Sequence, residues 1–195
     1  MPEIGTILLA AGRGTRFGPE PKLLAPLDGK PLVRHAAEAA LGAGPRPVIA
    51  VLGAHADAVR AALDGLDLIR VDNPDYAAGL ATSLRAGLGA LPDSCVAAVV
   101  VLGDMPRVTA THIDRLAAAF TEAAPKPAAV VPVQDGRSGN PVLLNLRRLG
   151  AEIAQLRGDH GAGPLLRGRA DVLEIPGDAA TALDIDTPAA LAALT

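Results

Sequence analysis

IGTILLAAGRGTRFGPEPK, residues 4–22, carries the reading of the fold. Residues 4–10 are an apolar run of strand length without helical period, and they read as a β-strand. The run breaks into Gly12, Gly14 and Gly18, interleaved with Arg13, Arg16 and Lys22. A glycine loop leaving the end of a strand is where α/β proteins place their ligands. Its glycines let the backbone approach an anion and point N–H groups at it, while the three cations stand within about one loop length. A triphosphate has the complementary charge; a glycine turn with solvated basic side chains would carry the same letters.

Outward from this loop, short β-rich runs alternate with Ala/Leu-rich stretches of helical period. Strands are expected at 4–10, 47–52, 68–71, 96–102 and 128–132, and helices at 31–41, 54–63, 78–91 and 109–123. That alternation predicts an α/β fold, a mostly parallel sheet covered on both faces in a three-layer α/β/α sandwich. Beyond residue 132 the pattern loosens into a short strand at 141–144, a helix at 146–157, a strand at 172–175 and a last helix from Pro188 to Leu194, with Thr187 as its N-cap. One domain over 1–195 follows, with a nucleotide-binding part over about 1–107 and an acceptor-binding part over about 108–195.

Half of the 195 residues are apolar but only 2% are aromatic, so Ala, Val and Leu must fill the core. A net charge of -3 argues against nucleic acid as a partner while permitting a local basic pocket. Cys95 stands alone, excluding an internal disulfide or a thiolate zinc site. The N-terminus lacks a basic segment and its apolar run is too short for a signal or a membrane span, which predicts a cytoplasmic protein.

Two familiar glycine motifs do not fit. A P-loop needs Lys directly after its second glycine, and a dinucleotide fingerprint needs an acid at the end of the second strand, where Leu52 and Gly53 stand. Carboxylates occur elsewhere. The strand at 96–102 ends in Gly103, Asp104, Met105 and Pro106, and an ionised Asp at that edge needs a partner, either a hard cation or a turn to cap. Asp184 and Asp186 flank Ile185, so in an extended segment both face one side while Ile185 enters the core; acids before a helix N-terminus are the plainer explanation. Residues 73–84, NPDYAAGLATSL, open a helix with polar groups that either meet a base edge or cap a turn. No nucleophile elbow is present. His35, His55 and His112 lack metal-ligand spacing and read as surface or core residues.

The string LLAAGRGTRFG…PKLLAPLDGKPL, with GDMP at 103–106 and DIDTP at 184–188, resembles the small nucleotidyltransferases of the MobA-like, molybdenum cofactor cytidylyltransferase type. Gly14 replaces a usual Ser, Phe17 a usual Met, and one extra residue precedes Lys22. The resemblance implies the Rossmann-like nucleotidyltransferase fold and transfer of CMP from CTP to molybdenum cofactor, with Mg2+ held by Asp104 and Asp186. It makes Arg16, Lys22 and Asp104 catalytic. Nucleotide binding falls to Ala10, Ala11, Gly12, Arg13, Gly14, Lys22, Gly79 and Ser83. Residues 137–142 and 158–163 resemble acceptor loops, imperfectly, which makes Asn140, His160 and Gly161 acceptor-binding. AlaAlaGly at 10–12 points to CTP rather than GTP. Guanylyl transfer, sugar-1-phosphate nucleotidyl transfer and a non-catalytic accessory protein remain as alternatives, and a molybdenum hydroxylase or its chaperone is the implied partner.

Overall fold

The computed structural model describes residues 3–194. Met1, Pro2 and Thr195, the ends of the one-domain reading, lie outside the described residues. In chain order the elements are β1 (Glu3–Ala10), β2 (Pro26–Leu27), β3 (Lys30–Pro31), α1 (Leu32–Gly42), β4 (Val48–Leu52), α2 (Ala56–Ala62), β5 (Ile69–Asp72), α3 (Leu80–Gly89), β6 (Cys95–Leu102) and α4 (Ala110–Glu122). There follow β7 (Ala129–Gln134), β8 (Arg137–Ser138), β9 (Val142–Asn145), α5 (Leu146–Gln155), α6 (Gly163–Leu166), β10 (Val172–Pro176), α7 (Ala179–Ala182) and α8 (Pro188–Ala192).

The main sheet runs β10-β7-β9-β6-β1-β4-β5, with β8 pairing β7. The pairs β1–β4, β1–β6, β4–β5 and β7–β10 are parallel. β9 lies antiparallel between β6 and β7, and the short β8 is antiparallel to β7, so the sheet is mostly parallel, as the sequence predicts, with two reversed strands. Alternation along β1 supplies both layers of the core. Ile4, Leu8 and Ala10 pack with residues of α1, α2 and α4, while Ile7, Leu9 and Ala11 pack with residues of α3 and α5. Ala, Val and Leu fill both layers, and the buried aromatics are Phe17 and Phe120.

Several elements differ from the sequence reading. The β2–β3 hairpin turns at Asp28 and Gly29, both at positive φ (50° and 78°); this Asp-Gly pair is a hairpin signal that the sequence reading passed over. α3 begins at Leu80, because residues 76–78 form a tighter 3-10 turn first. The segment around Ile185 is not a strand, although Ile185 is fully buried as expected. Thr187 caps α8 by accepting from the Ala190 N–H at 3.1 Å. No helix among the described residues is long and apolar enough to cross a membrane.

Candidate active site

β1 continues to β4 on one side, whereas β6 returns to the other, so the sheet switches direction between β1 and β6. The crevice outside the carboxyl ends of those strands is where open α/β sheets bind ligands. The glycine loop leaves β1 there, and Asp104 leaves β6.

Local packing explains how distant residues meet. At Gly14 (φ 61°) a Cβ would lie 2.8 Å from the Lys22 Cβ, so glycine lets Lys22 fold back beneath the loop. Phe17, Leu27, Leu32 and Ile185 form a small apolar cluster, and the Ile185 N–H donates to the Asp104 carbonyl at 3.0 Å. The cluster thereby pins the segment before α8 against both the loop and the end of β6. Asp186 is delivered to the same spot. Lys22 Nζ donates to Asp104 Oδ2 at 2.6 Å and to Asp186 Oδ1 at 3.0 Å, and Arg16 reaches Asp186 Oδ2 at 2.8 Å.

Burial works against the Lys22 charge, but the charge of Asp104 and the hydrogen bonds to Asp104 and Asp186 outweigh it, holding the ammonium above its ordinary pKa of 10.5. Arg16 is 75% exposed, so its ion pair contributes little to stability and its guanidinium is free to turn to another anion.

Two cavities adjoin here. The first, of about 480 Å³, is lined by Ala11, Gly12, Arg13, Gly14, Arg16, Lys22, Ser83, Asp104 and Asp186, all singled out from sequence, and also by Tyr76, Thr15 and Asp159, which were not. The second, of about 690 Å³, has an apolar floor that includes Val100, Val131 and Val142 and shares Leu9, Leu80 and Leu102 with the first. Asn140 and Gly161 are among its lining residues. Its rim adds Arg137, Arg167 and Arg169; Arg169 is engaged by Asp171 and Glu152, whereas the guanidinium groups of Arg137 and Arg167 have no partner among the described residues.

Three assigned residues lie outside the cavities. Ala10 is fully buried on the α1 side, because alternation turns Leu9 and Ala11, not Ala10, to the crevice. His160 is exposed; its loop presents Asp159 and Gly161 inward instead. Gly79 (φ 109°) acts by close approach, since a Cβ there would fall 2.2 Å from the Gly158 carbonyl carbon. The Gly158 carbonyl also accepts from the Ala81 N–H at 3.1 Å. Gly79 therefore seats the 158–163 loop between the two cavities. Ser83 is buried and accepts from Asn73 Nδ2 at 3.0 Å.

Residues 6–173 match the family described as the MobA-like NTP transferase domain. The chain belongs to this family. Nicotine blue oxidoreductase of Paenarthrobacter nicotinovorans is 32% identical over 192 residues, 96% of this chain and 94% of the relative. The bifunctional protein GlmU of Kineococcus radiotolerans is 41% identical over 116 residues, 58% of this chain but only 24% of that longer protein. Among solved structures, Rv0371c of Mycobacterium tuberculosis superimposes with a TM-score of 0.83 at 32% identity, covering 98% of this chain and 96% of that one. The same protein has been solved in complex with manganese. A nucleotidyl transferase of Methanothermobacter thermautotroptrophicus, 24% identical with a TM-score of 0.82, shares the fold.

Proposed function

We propose that this MobA-like NTP transferase moves CMP from CTP to molybdenum cofactor and releases pyrophosphate. The observation that carries the reading is the convergence of Asp104 and Asp186 on Lys22 at the sheet's switch point, beside a second cavity large enough for an acceptor. The triphosphate lies along the glycine loop, with Arg13 and Arg16 neutralising it. An acceptor phosphate oxygen in the second cavity attacks the α-phosphorus in line. The new P–O bond forms as the bond from the α-phosphorus to the bridging oxygen breaks, and pyrophosphate leaves with the electron pair. Lys22, charged at any physiological pH, offsets charge on the transferred group.

The donor set fits a divalent cation such as Mg2+. Both carboxylates reach the same ammonium and so converge on a point of cation size, and two carboxylates completed by phosphate oxygens and water suit a hard metal. Among the described residues no cluster of three acidic, His or Cys side chains offers a full protein cage. Asp104 and Asp186 would hold the ion, which would polarise the phosphate oxygens. A molybdenum hydroxylase or its chaperone would receive the product.

A redox reading has one observation in its favour, the full-length relative named nicotine blue oxidoreductase. No carboxylate stands at the end of β4 to hold a cofactor ribose, which favours transfer. The test is pyrophosphate release from CTP, GTP and UTP with molybdenum cofactor or a sugar 1-phosphate, beside oxidation of NADH and NADPH with a heteroaromatic acceptor. Pyrophosphate with CTP and molybdenum cofactor supports the proposal; hydride-donor oxidation without pyrophosphate replaces it with the redox reading.

A further inference from the structure

The chain has one Tyr, two Phe and no Trp. Both Phe side chains are buried, at 7% and 1% exposure, so Tyr76 is the aromatic left half-exposed, and it lines the first cavity. Its position is fixed from two directions. At Gly53 a Cβ would lie 2.7 Å from the Cβ atoms of both Ala11 and Tyr76, so glycine lets the loop after β1 and the turn carrying Tyr76 close on each other. Asn73 ties that turn to α3, accepting from the Asp75 N–H at 3.0 Å and donating to Thr82 Oγ1 at 2.8 Å and to Ser83 Oγ at 3.0 Å. The Arg13 guanidinium lies over the Tyr76 ring, 5.7 Å from its centre. The ring thus already receives one flat cation in a cavity otherwise walled by glycine backbone, charged groups, the hydroxyls of Thr15 and Ser83, and aliphatic side chains.

We infer that Tyr76 is the nucleobase platform of the first cavity, which rests on the reading of that cavity as a nucleoside triphosphate site. The base stacks on the ring in place of Arg13, and the exposed Arg13 side chain turns to the triphosphate. Every base has a π-face, so stacking supplies affinity without choosing between bases. Choice is left to groups at the base edge, such as the Ser83 hydroxyl, whose proton has no acceptor among the described residues.

With a single tyrosine, the ring-proton resonances of Tyr76 identify themselves in a proton NMR spectrum of the full chain. Bound CTP and bound GTP should both shift them upfield by the ring current of the base. In calorimetry, Tyr76→Ala should weaken CTP and GTP alike, by about tenfold or more. Tyr76→Phe should bind both as the wild type does, and inorganic tripolyphosphate should bind all three proteins equally. Tyr76 resonances unmoved by bound CTP, a Tyr76→Ala protein that binds CTP normally, or a loss confined to one nucleotide would overturn the platform while leaving nucleotide binding intact. If the wild type binds neither nucleotide, the triphosphate reading fails and the platform fails with it. The resonance shift is read on the wild type, so the inference stays testable if Tyr76→Ala does not fold.

Discussion

The two cavities are built by different means. The first is held by side chains: Lys22 joins two carboxylates that arrive from residues 82 and 164 positions further along the chain, and Arg16 closes the group. The second is shaped largely by backbone and aliphatic surface, with its charged groups being Arg137, Arg167, Arg169 and Glu174. Charged networks need particular residue types at fixed places, whereas an apolar floor accepts many sequences of similar volume. On the proposed reading, the chemistry is therefore concentrated in the first cavity and acceptor choice falls to the second.

The sharpest way to break this division is Asp104→Ala. It should lower kcat by about 10²–10³-fold or more while circular dichroism shows an intact fold, because Asp104 is only partly buried and its loss removes charge rather than packing. Chelation of divalent metal should mimic it. A folded variant with near-normal turnover would move the chemistry elsewhere.

Gly79→Ala probes the boundary between the cavities. The added methyl would strike the Gly158 carbonyl in a backbone conformation unsuited to L side chains, so stability should fall by about 1–3 kcal/mol. The KM values for nucleotide and acceptor should rise together. A rise in only one would show that the 158–163 loop serves a single cavity.

Arg137→Ala and Arg167→Ala sharpen the contrast from the other side. Each should raise the acceptor KM by about tenfold to a hundredfold, as expected for one lost charge-assisted hydrogen bond of roughly 1.5–3 kcal/mol, and leave the KM for CTP unchanged. Steady-state kinetics with each substrate varied in turn checks this.

The smallest expected effect is on pH. Because Lys22 is raised above 10.5 in the folded chain, its network contributes stability that is fully present below that value and lost as pH rises through the folded pKa. The gap in urea midpoint between wild type and Lys22→Met should stay constant up to about pH 10 and narrow above it. A gap that closes near pH 8 would mean that the carboxylates do not hold the charge.

What the sequence made legible follows the same contrast. Arg16 and Lys22 stood out as cations of the glycine loop, Asp104 as an acid at the mouth of an apolar strand and Asp186 as an acid beside the buried Ile185, and the parallel core was readable from its alternating elements. Ala10 was assigned together with Ala11 because a motif does not say which of two adjacent alanines faces the crevice; the side chain that does is that of Ala11. Tyr76 was missed because its role depends on Gly53, 23 positions away in sequence, clearing space for it. The second cavity was only outlined, since Arg137, in the two-residue β8, and Arg167, in the turn after α6, reach its rim from segments too short to show a periodic pattern.

The most direct test follows a radiolabel in the α-phosphate of CTP, supplied with a divalent metal and molybdenum cofactor. Nucleotidyl transfer predicts that the label moves to the acceptor with one pyrophosphate released per transfer, and that Asp104→Ala stops both. Label that stays in CTP, or appears in CDP with orthophosphate released, would contradict it.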